Sequence, residues 1–99
     1  MAKKPYHLSI VTPEGSRFDG EIVSLIFPGD DGEIGVWAYH APMLSAVRPG
    51  RLEVEVADHP ESLHTFAVGA GFAEVSDNRA ILLVDSAEPA EAIDIQRAR

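Results

Sequence analysis

Histidine is the residue of this 99-residue sequence with the widest chemical use, because imidazole can act as a metal ligand, an acid or a base. The sequence contains His7, His40, His59 and His64. A metal site needs at least three converging ligands, and short regular spacing is what makes such a site recognisable. No two of these histidines are two or four positions apart, which favours separate surface histidines. A cupin-like metal enzyme that uses His7, His40 and His64 stays open as an alternative, since His7 and His64 could lie on neighbouring strands.

Nucleophile and phosphate sites have weaker support in the sequence. Four serines lie within predicted strands, and none of them is part of a Gly-x-Ser-x-Gly elbow: Ser9, Ser24, Ser45 and Ser76. The glycines around Asp30 and the Gly69-Ala-Gly71 segment lack the Gly-Lys-Ser/Thr of a phosphate loop, and no helix follows them. The sequence therefore predicts no catalytic residue, no metal and no cofactor.

An acidic segment between two predicted strands could bind a cation. Asp30 and Asp31 lie in the glycine-rich loop 28–32, and Glu33 follows it. A calcium loop needs a dense cage of oxygen ligands that ends in a bidentate glutamate, and this segment has no such cage. The composition favours a solvated turn over a calcium site. A third interpretation is a contact for an arginine on another protein.

The stretch 32–44 is the most unusual part of the chain. It begins as a strand and breaks before Pro42, which lacks a backbone donor and disfavours continuation of a ladder. Large aromatic residues are mostly buried, so the pattern favours Trp37 in the core. Tyr39 and His40 lie in the break and are expected to be exposed. A free-standing sandwich that binds peptide or carbohydrate through Trp37 and Tyr39 is a second alternative.

The elements that must position these residues are strands. Apolar residues alternate over 6–12 and 51–56, and turn signals recur every eight to twelve residues. The pattern predicts an all-β fold, a two-sheet antiparallel β-sandwich of about ten short strands, in a domain of residues 1–90. The acidic segment 85–94 is expected to be irregular, and residues 91–99 are expected to form a tail in which Asp94 caps a stub of helix.

Three segments that contain glycine or asparagine predict local features of the backbone. A turn at Gly20 separates two strands, the Gly69-Ala-Gly71 segment marks either a bulge or a close backbone approach, and Asp77-Asn78 forms a two-residue hairpin turn.

Composition narrows the possible partners. The net charge of −8 disfavours nucleic acid, whose phosphates would be repelled. The chain contains no cysteine and no run of about 20 apolar residues, and its N-terminal residues do not resemble a signal peptide. Any association with a membrane is therefore expected to be indirect. The residues alone indicate an acidic interaction module and do not name its partner.

A series of segments resembles one known family. Residues 6–11, 32–36, 40–44, 48–50, 66–72, 84–88 and 92–94 follow the order and spacing of the N-terminal domain of the epsilon subunit of the F-type ATP synthase. Each segment is a weak signal alone, but the series covers nearly the whole chain.

This resemblance implies a sandwich of two five-stranded sheets and a non-catalytic rotor subunit of the central stalk. Such a subunit links the gamma subunit to the membrane c-ring and couples proton translocation to ATP synthesis. It is peripheral, at the cytoplasmic face of the bacterial plasma membrane, and is expected to be a monomer when isolated. The residues implied to contact gamma are Tyr39, His40, Ala41, Pro42, Met43 and Leu44. The residues implied to contact the c-ring are Asp30, Asp31 and Glu33.

The sequence departs from the family pattern at two places. Ala38-Tyr39 stands where the family usually has Pro-Gly or Pro-Asn, so a less tight turn is expected before His40. After the sandwich, the family usually continues into a two-helix domain, of which only residues 95–99 would remain here. Nucleotide binding and inhibition by those helices are therefore not assigned.

Overall fold

The computed structural model describes residues 3–58 and 63–90, and the regular elements in these two ranges are all β-strands. The strands are β1 (Tyr6–Thr12), β2 (Gly15–Gly29), β3 (Gly32–Val36), β4 (Met43–Val47), β5 (Gly50–Val56), β6 (Leu63–Val68), β7 (Gly71–Ser76), β8 (Arg79–Val84) and β9 (Ala87–Pro89). The predicted all-β fold is confirmed. The expected helical stub and the tail 91–99 lie outside the described residues.

Strand β2 belongs to both layers of the fold. Its first half pairs with β1, and its second half pairs with β5 and β3. One layer therefore has the order β4-β7-β8-β1-β2, and the other has β3-β2-β5-β6-β9. The predicted turn at Gly20 is wrong, because Gly20 pairs with Leu8 inside one continuous strand of 15 residues. The nine strands of the described ranges thus supply five to each layer, since β2 is used twice.

The core lies between the two layers and is built from the inward positions of the alternating strands. Phe18 of β2 meets Phe66 of β6 edge to face, with ring centroids 6.2 Å apart. Full burial of each leucine or phenylalanine side chain stabilises the fold by about 1.5–3 kcal/mol relative to exposure to water. The largest fully buried side chains are Phe27, Leu8, Ile10, Ile22, Leu25, Leu52, Leu82, Val36 and Val54.

Two strand pairings differ from the predictions: one is parallel, and the other involves a segment that was predicted to be irregular. Strands β1 and β8 pair in parallel, from His7 with Arg79 to Val11 with Leu83. Parallel neighbours cannot be joined by a tight hairpin, and here most of the chain separates them. Residues 85–94 were expected to be irregular, but β9 forms by pairing with β6, and the Ala90 amide donates to the Thr65 carbonyl at 2.7 Å.

Of the two alternatives predicted for the Gly69-Ala-Gly71 segment, a bulge or a close backbone approach, the structure shows the close approach at Gly71. A Cβ placed on Gly71 would lie 1.9 Å from the carbonyl oxygen of Leu83 and 2.6 Å from the Cα of Val84. Strands β7 and β8 therefore approach each other at a position that has no room for a side chain. The described part of the chain contains no helix with the length and apolar character that a membrane crossing requires.

Candidate interaction surface

The break between β3 and β4 forms an exposed corner, which we define as residues 39–44. Ala38 and Tyr39 make the turn, and Tyr39 has a positive φ of 62°. A type II turn requires a positive φ at the second of its two central residues, a position usually occupied by glycine or asparagine. The expected loss of a tight turn is therefore wrong, because Tyr39 adopts the left-handed conformation itself.

Hydrogen bonds from two other segments hold this turn. The Tyr39 amide donates to Oδ1 of Asn78 at 2.7 Å, and the Tyr6 hydroxyl donates to the Val36 carbonyl at 2.7 Å. Burial raises the pKa of Tyr6 well above its usual value, so its phenol stays protonated as the donor. The strand leading into the corner and the turn itself are thus both fixed by bonds to distant parts of the chain.

Most side chains of the corner are exposed, while that of Met43 packs against the core. Tyr39 is 72% exposed and Leu44 is 73% exposed, while His40 and Met43 are half-buried. Ala41 and Pro42 are exposed as well. His40 Nδ1 donates to the Ala41 carbonyl at 2.7 Å, which orients the ring within the corner. The prediction that Tyr39 and His40 are exposed is confirmed for Tyr39, and His40 is partly accessible.

Trp37 lies on the outside of the sandwich, so the prediction that it is a core residue is wrong. It is 49% exposed. Its ring covers Gly35, where an added Cβ would lie 2.5 Å from Trp37 Cζ3. The missing side chain at Gly35 gives the indole a surface to pack on without entry into the core. Trp37 therefore adds an aromatic surface beside the corner.

An apolar row that the sequence analysis missed continues from the corner across the outer face of β4, β7, β8 and β1. The register aligns Ala46 with Phe72, Phe72 with Leu83, and Leu83 with Val11. Phe72 is 60% exposed and Leu83 is 56% exposed. Large apolar side chains in adjacent exposed positions indicate an interaction surface. The signal in the sequence is that β8 is apolar at both outward and inward positions, with Ile81 and Leu83 facing outward.

The acidic residues lie beside this apolar face. Asp30 and Asp31 form the turn between β2 and β3, and Glu33 is exposed on β3. The expected loop 28–32 is shorter than predicted, because its first two residues complete β2 and its last begins β3. Asp30 Oδ1 lies 3.7 Å from Arg48 Nη1, and both side chains are largely exposed.

One groove joins the two predicted sets of contact residues. The groove is lined by Asp30, Asp31, Gly32, Glu33, Ile34, Leu44, Ser45 and Ala46. Its acidic wall comes from the β2–β3 turn and its apolar wall from β4. The structure therefore places a negatively charged edge directly next to an exposed apolar face.

The histidines are not brought together as the metal-enzyme alternative requires. His7 lies on β1, where its Nδ1 is 3.2 Å from Glu21 Oε2 and its Nε2 contacts Asp19. His64 lies on β6, and β2 and β5 separate β6 from β1, so the two histidines are not on neighbouring strands. Within residues 3–58 and 63–90, no group of three histidine or acidic side chains is arranged to hold a metal ion. His59 lies outside the described residues.

Sequence comparison relates the chain to subunits of ATP synthases. The family model described as "ATP synthase, Delta/Epsilon chain, beta-sandwich domain" matches residues 5–90. The ATP synthase epsilon chain of Desulforamulus reducens is 41% identical over 96 residues, which cover 97% of this chain and 70% of that relative. The epsilon chain of Nitratiruptor sp. is 43% identical over 84 residues, which cover 85% of this chain and 64% of that relative. The chain thus spans about two thirds of the length of these curated relatives.

Structural comparison gives the same fold. A chain of the Euglena gracilis mitochondrial ATP synthase (OSCP/F1/c-ring, rotational state 1) superposes with a TM-score of 0.83 at 23% identity. The match covers 98% of this chain and 61% of that chain. A chain of the Tetrahymena thermophila mitochondrial ATP synthase central stalk and c-ring has a TM-score of 0.75 at 15% identity, and the match covers 100% of this chain and 77% of that one. At these identities the likeness concerns the fold.

Proposed function

Because the chain belongs to the delta/epsilon family of ATP synthase and contains its β-sandwich domain, we propose that it is a non-catalytic subunit of the central stalk. In this role it binds the gamma subunit and rests on the c-ring, so that rotation driven by proton translocation is coupled to ATP synthesis. The subunit is a peripheral part of a membrane-bound complex. Its contribution is to hold two partners in a fixed relation through a rigid pair of sheets.

The observation that carries the proposal is the continuity of the corner with the apolar outer face. Tyr39 and Leu44 are exposed at one end of this surface, and Phe72 and Leu83 continue it across three strands. Burial of such side chains against a partner supplies most of the binding free energy in a typical interface. We therefore assign this surface, with Ala41, Pro42 and Met43 of the corner, to the gamma contact.

The corner can be tested with the double substitution Tyr39→Ala and His40→Ala. We expect the affinity for purified gamma subunit to fall by about tenfold, since exposed aromatic contacts are lost from the interface. The urea midpoint of the isolated chain should change little, because Tyr39 makes few buried contacts. Isothermal titration calorimetry measures the affinity. Affinity equal to that of the unsubstituted chain would remove the corner from the interface.

The acidic edge is assigned to the c-ring. Asp30, Asp31 and Glu33 project from the end of β2 and the start of β3, next to the proposed gamma surface. Exposed acidic groups orient a partner and discriminate against like charge, while each rim pair adds little affinity. The partner surface that fits them is basic. Since Arg48 already reaches Asp30 within this chain, a partner arginine would share or replace that pair.

Reversal of the three acidic charges is expected to weaken coupling. The triple substitution Asp30→Lys, Asp31→Lys and Glu33→Lys replaces attraction by repulsion, an effect on the order of 1–3 kcal/mol in total. ATP-driven proton pumping by the reconstituted enzyme should fall relative to ATP hydrolysis. The matched control makes the same charge change at exposed acids elsewhere, Glu14→Lys, Asp58→Lys and Glu88→Lys, and should leave the ratio unchanged. Equal pumping by both triple variants would argue against the ring contact.

A further inference from the structure

Asn78 lies outside the surface assigned to gamma, yet its side chain bonds to the backbone of the corner. Its Oδ1 accepts the Tyr39 amide at 2.7 Å, and its Nδ2 donates to the Pro5 carbonyl at 3.4 Å. The backbone carbonyl of Asn78 accepts from the His7 amide at 3.5 Å. One residue of the β7–β8 hairpin thus joins the corner, the N-terminal segment and the start of β1.

The corner needs such a bond because its turn is strained. Tyr39 has a φ of 62°, a conformation that costs a residue with a side chain on the order of 1 kcal/mol or more. A hydrogen bond to the amide of the strained residue offsets part of that cost. Without it, the exposed backbone of Tyr39 could relax towards a negative φ, which would redirect both the tyrosine and the following His40.

The position of the Asn78 amide is itself well defined. Asp77 and Asn78 have φ values of 52° and 57°, the two positive angles of a type I′ hairpin turn. A two-residue hairpin between paired strands leaves little freedom for the turn, since Ser76 and Arg79 are directly paired beside it. The acceptor that Tyr39 meets is therefore held by the sheet and not by a loose loop.

We propose that Asn78 is a positioning residue for the gamma-binding corner, holding Tyr39 in the left-handed turn that presents Tyr39 and His40 to the partner. This role rests on the proposed function. A type I′ turn accepts glycine as well as asparagine at this position, so the turn alone does not require the amide group. Unlike glycine, Asn78 has a side-chain oxygen, and this oxygen accepts a hydrogen bond from the amide of the strained residue Tyr39.

Three substitutions separate this role from a purely structural one. Asn78→Gly keeps a residue that tolerates positive φ but removes the acceptor. Asn78→Asp keeps an acceptor oxygen and should restore the bond to Tyr39. Asp77→Gly alters the same turn at its other position and serves as the matched control, since Asp77 is exposed and next to Asn78.

The first measurement is amide hydrogen exchange of Tyr39 by NMR in the isolated chain. We expect Asn78→Gly to accelerate exchange at Tyr39 by about tenfold, because the acceptor is lost, while Asn78→Asp and Asp77→Gly keep exchange close to that of the unsubstituted chain. The urea midpoints of the two glycine variants should be similar. Exchange at Tyr39 that is unaffected by Asn78→Gly would overturn the proposal.

The second measurement is affinity for purified gamma subunit. Asn78→Gly should weaken binding several-fold, with recovery in Asn78→Asp, while Asp77→Gly binds normally. If Asn78→Gly binds normally but the Tyr39→Ala, His40→Ala variant does not, the positioning role is wrong and the corner contact stands. If the corner double variant itself binds normally, the assignment of the corner to gamma fails, and the role of Asn78 in that contact fails with it. The exchange measurement still reports on the bond without any partner.

Discussion

Replacement of Gly71 by alanine is expected to lower the free energy of unfolding by about 3 kcal/mol, the upper part of the range for overpacked sites. The new methyl group would lie 1.9 Å from the Leu83 carbonyl oxygen, and both atoms in the clash belong to backbone or Cβ positions that no rotamer can move. Strands β7 and β8 would have to separate where they form the proposed gamma surface. Urea denaturation followed by circular dichroism measures the change.

Gly20 provides the matched control for this prediction. It also lies within a strand, but an added Cβ would be 3.7 Å from the Phe18 ring, which is ordinary van der Waals contact. Gly20→Ala should keep or slightly raise stability, because alanine reduces the freedom of the unfolded chain. Equal urea midpoints for the two alanine variants would show that β7 and β8 do not approach as closely as described.

Removal of the two large side chains from the apolar row is expected to weaken gamma binding on the order of 30-fold, which corresponds to about 2 kcal/mol. The double substitution is Phe72→Ala and Leu83→Ala. Both side chains are more than half exposed in the isolated chain, at 60% and 56%, so their truncation removes partner contacts and little core packing. Calorimetric titration with purified gamma subunit measures the affinity.

Leu63 is the control for the apolar row. It is 58% exposed, almost the same as Leu83, but it lies on β6 in the other layer. Leu63→Ala should leave gamma affinity within about twofold, since most residues outside a hot spot contribute little. Equal losses from Leu83→Ala and Leu63→Ala would indicate a general response to lost apolar surface and would contradict the assigned interface.

Periodicity predicted most of the strands because their inward faces are mostly apolar. β1 has the predicted bounds, Tyr6–Thr12, and the Asp77-Asn78 hairpin forms as expected from its two-residue turn. The resemblance to the ATP synthase epsilon chain is confirmed by the family match over residues 5–90. These features depend on local sequence or on a long series of segments, which is why they could be seen without coordinates.

The features that escaped prediction depend on contacts between distant residues. Gly20 has the composition of a turn, but pairing with β1 keeps it in a strand. Trp37 departs from the average burial of large aromatic residues because its ring packs over Gly35 on the outside of the sandwich. The bond from Tyr39 to Asn78 joins residues 39 positions apart, and no spacing rule reveals it. The apolar row depends on the register that pairs Phe72 with Leu83, and the sequence alone does not give this register.

The passage of β2 through both layers has a mechanical consequence. A pull along β2 on the turn at Asp30 and Asp31 acts through the backbone of a single 15-residue strand whose other half is bonded to β1. Bonds of β2 to β1 and β5 would then be loaded side by side in shear and could not open one at a time as in unzipping. Force received at the acidic end would therefore reach the layer with the apolar row without bending a hinge. An architecture with two separate strands joined by a loop at Gly20 would yield at that loop first.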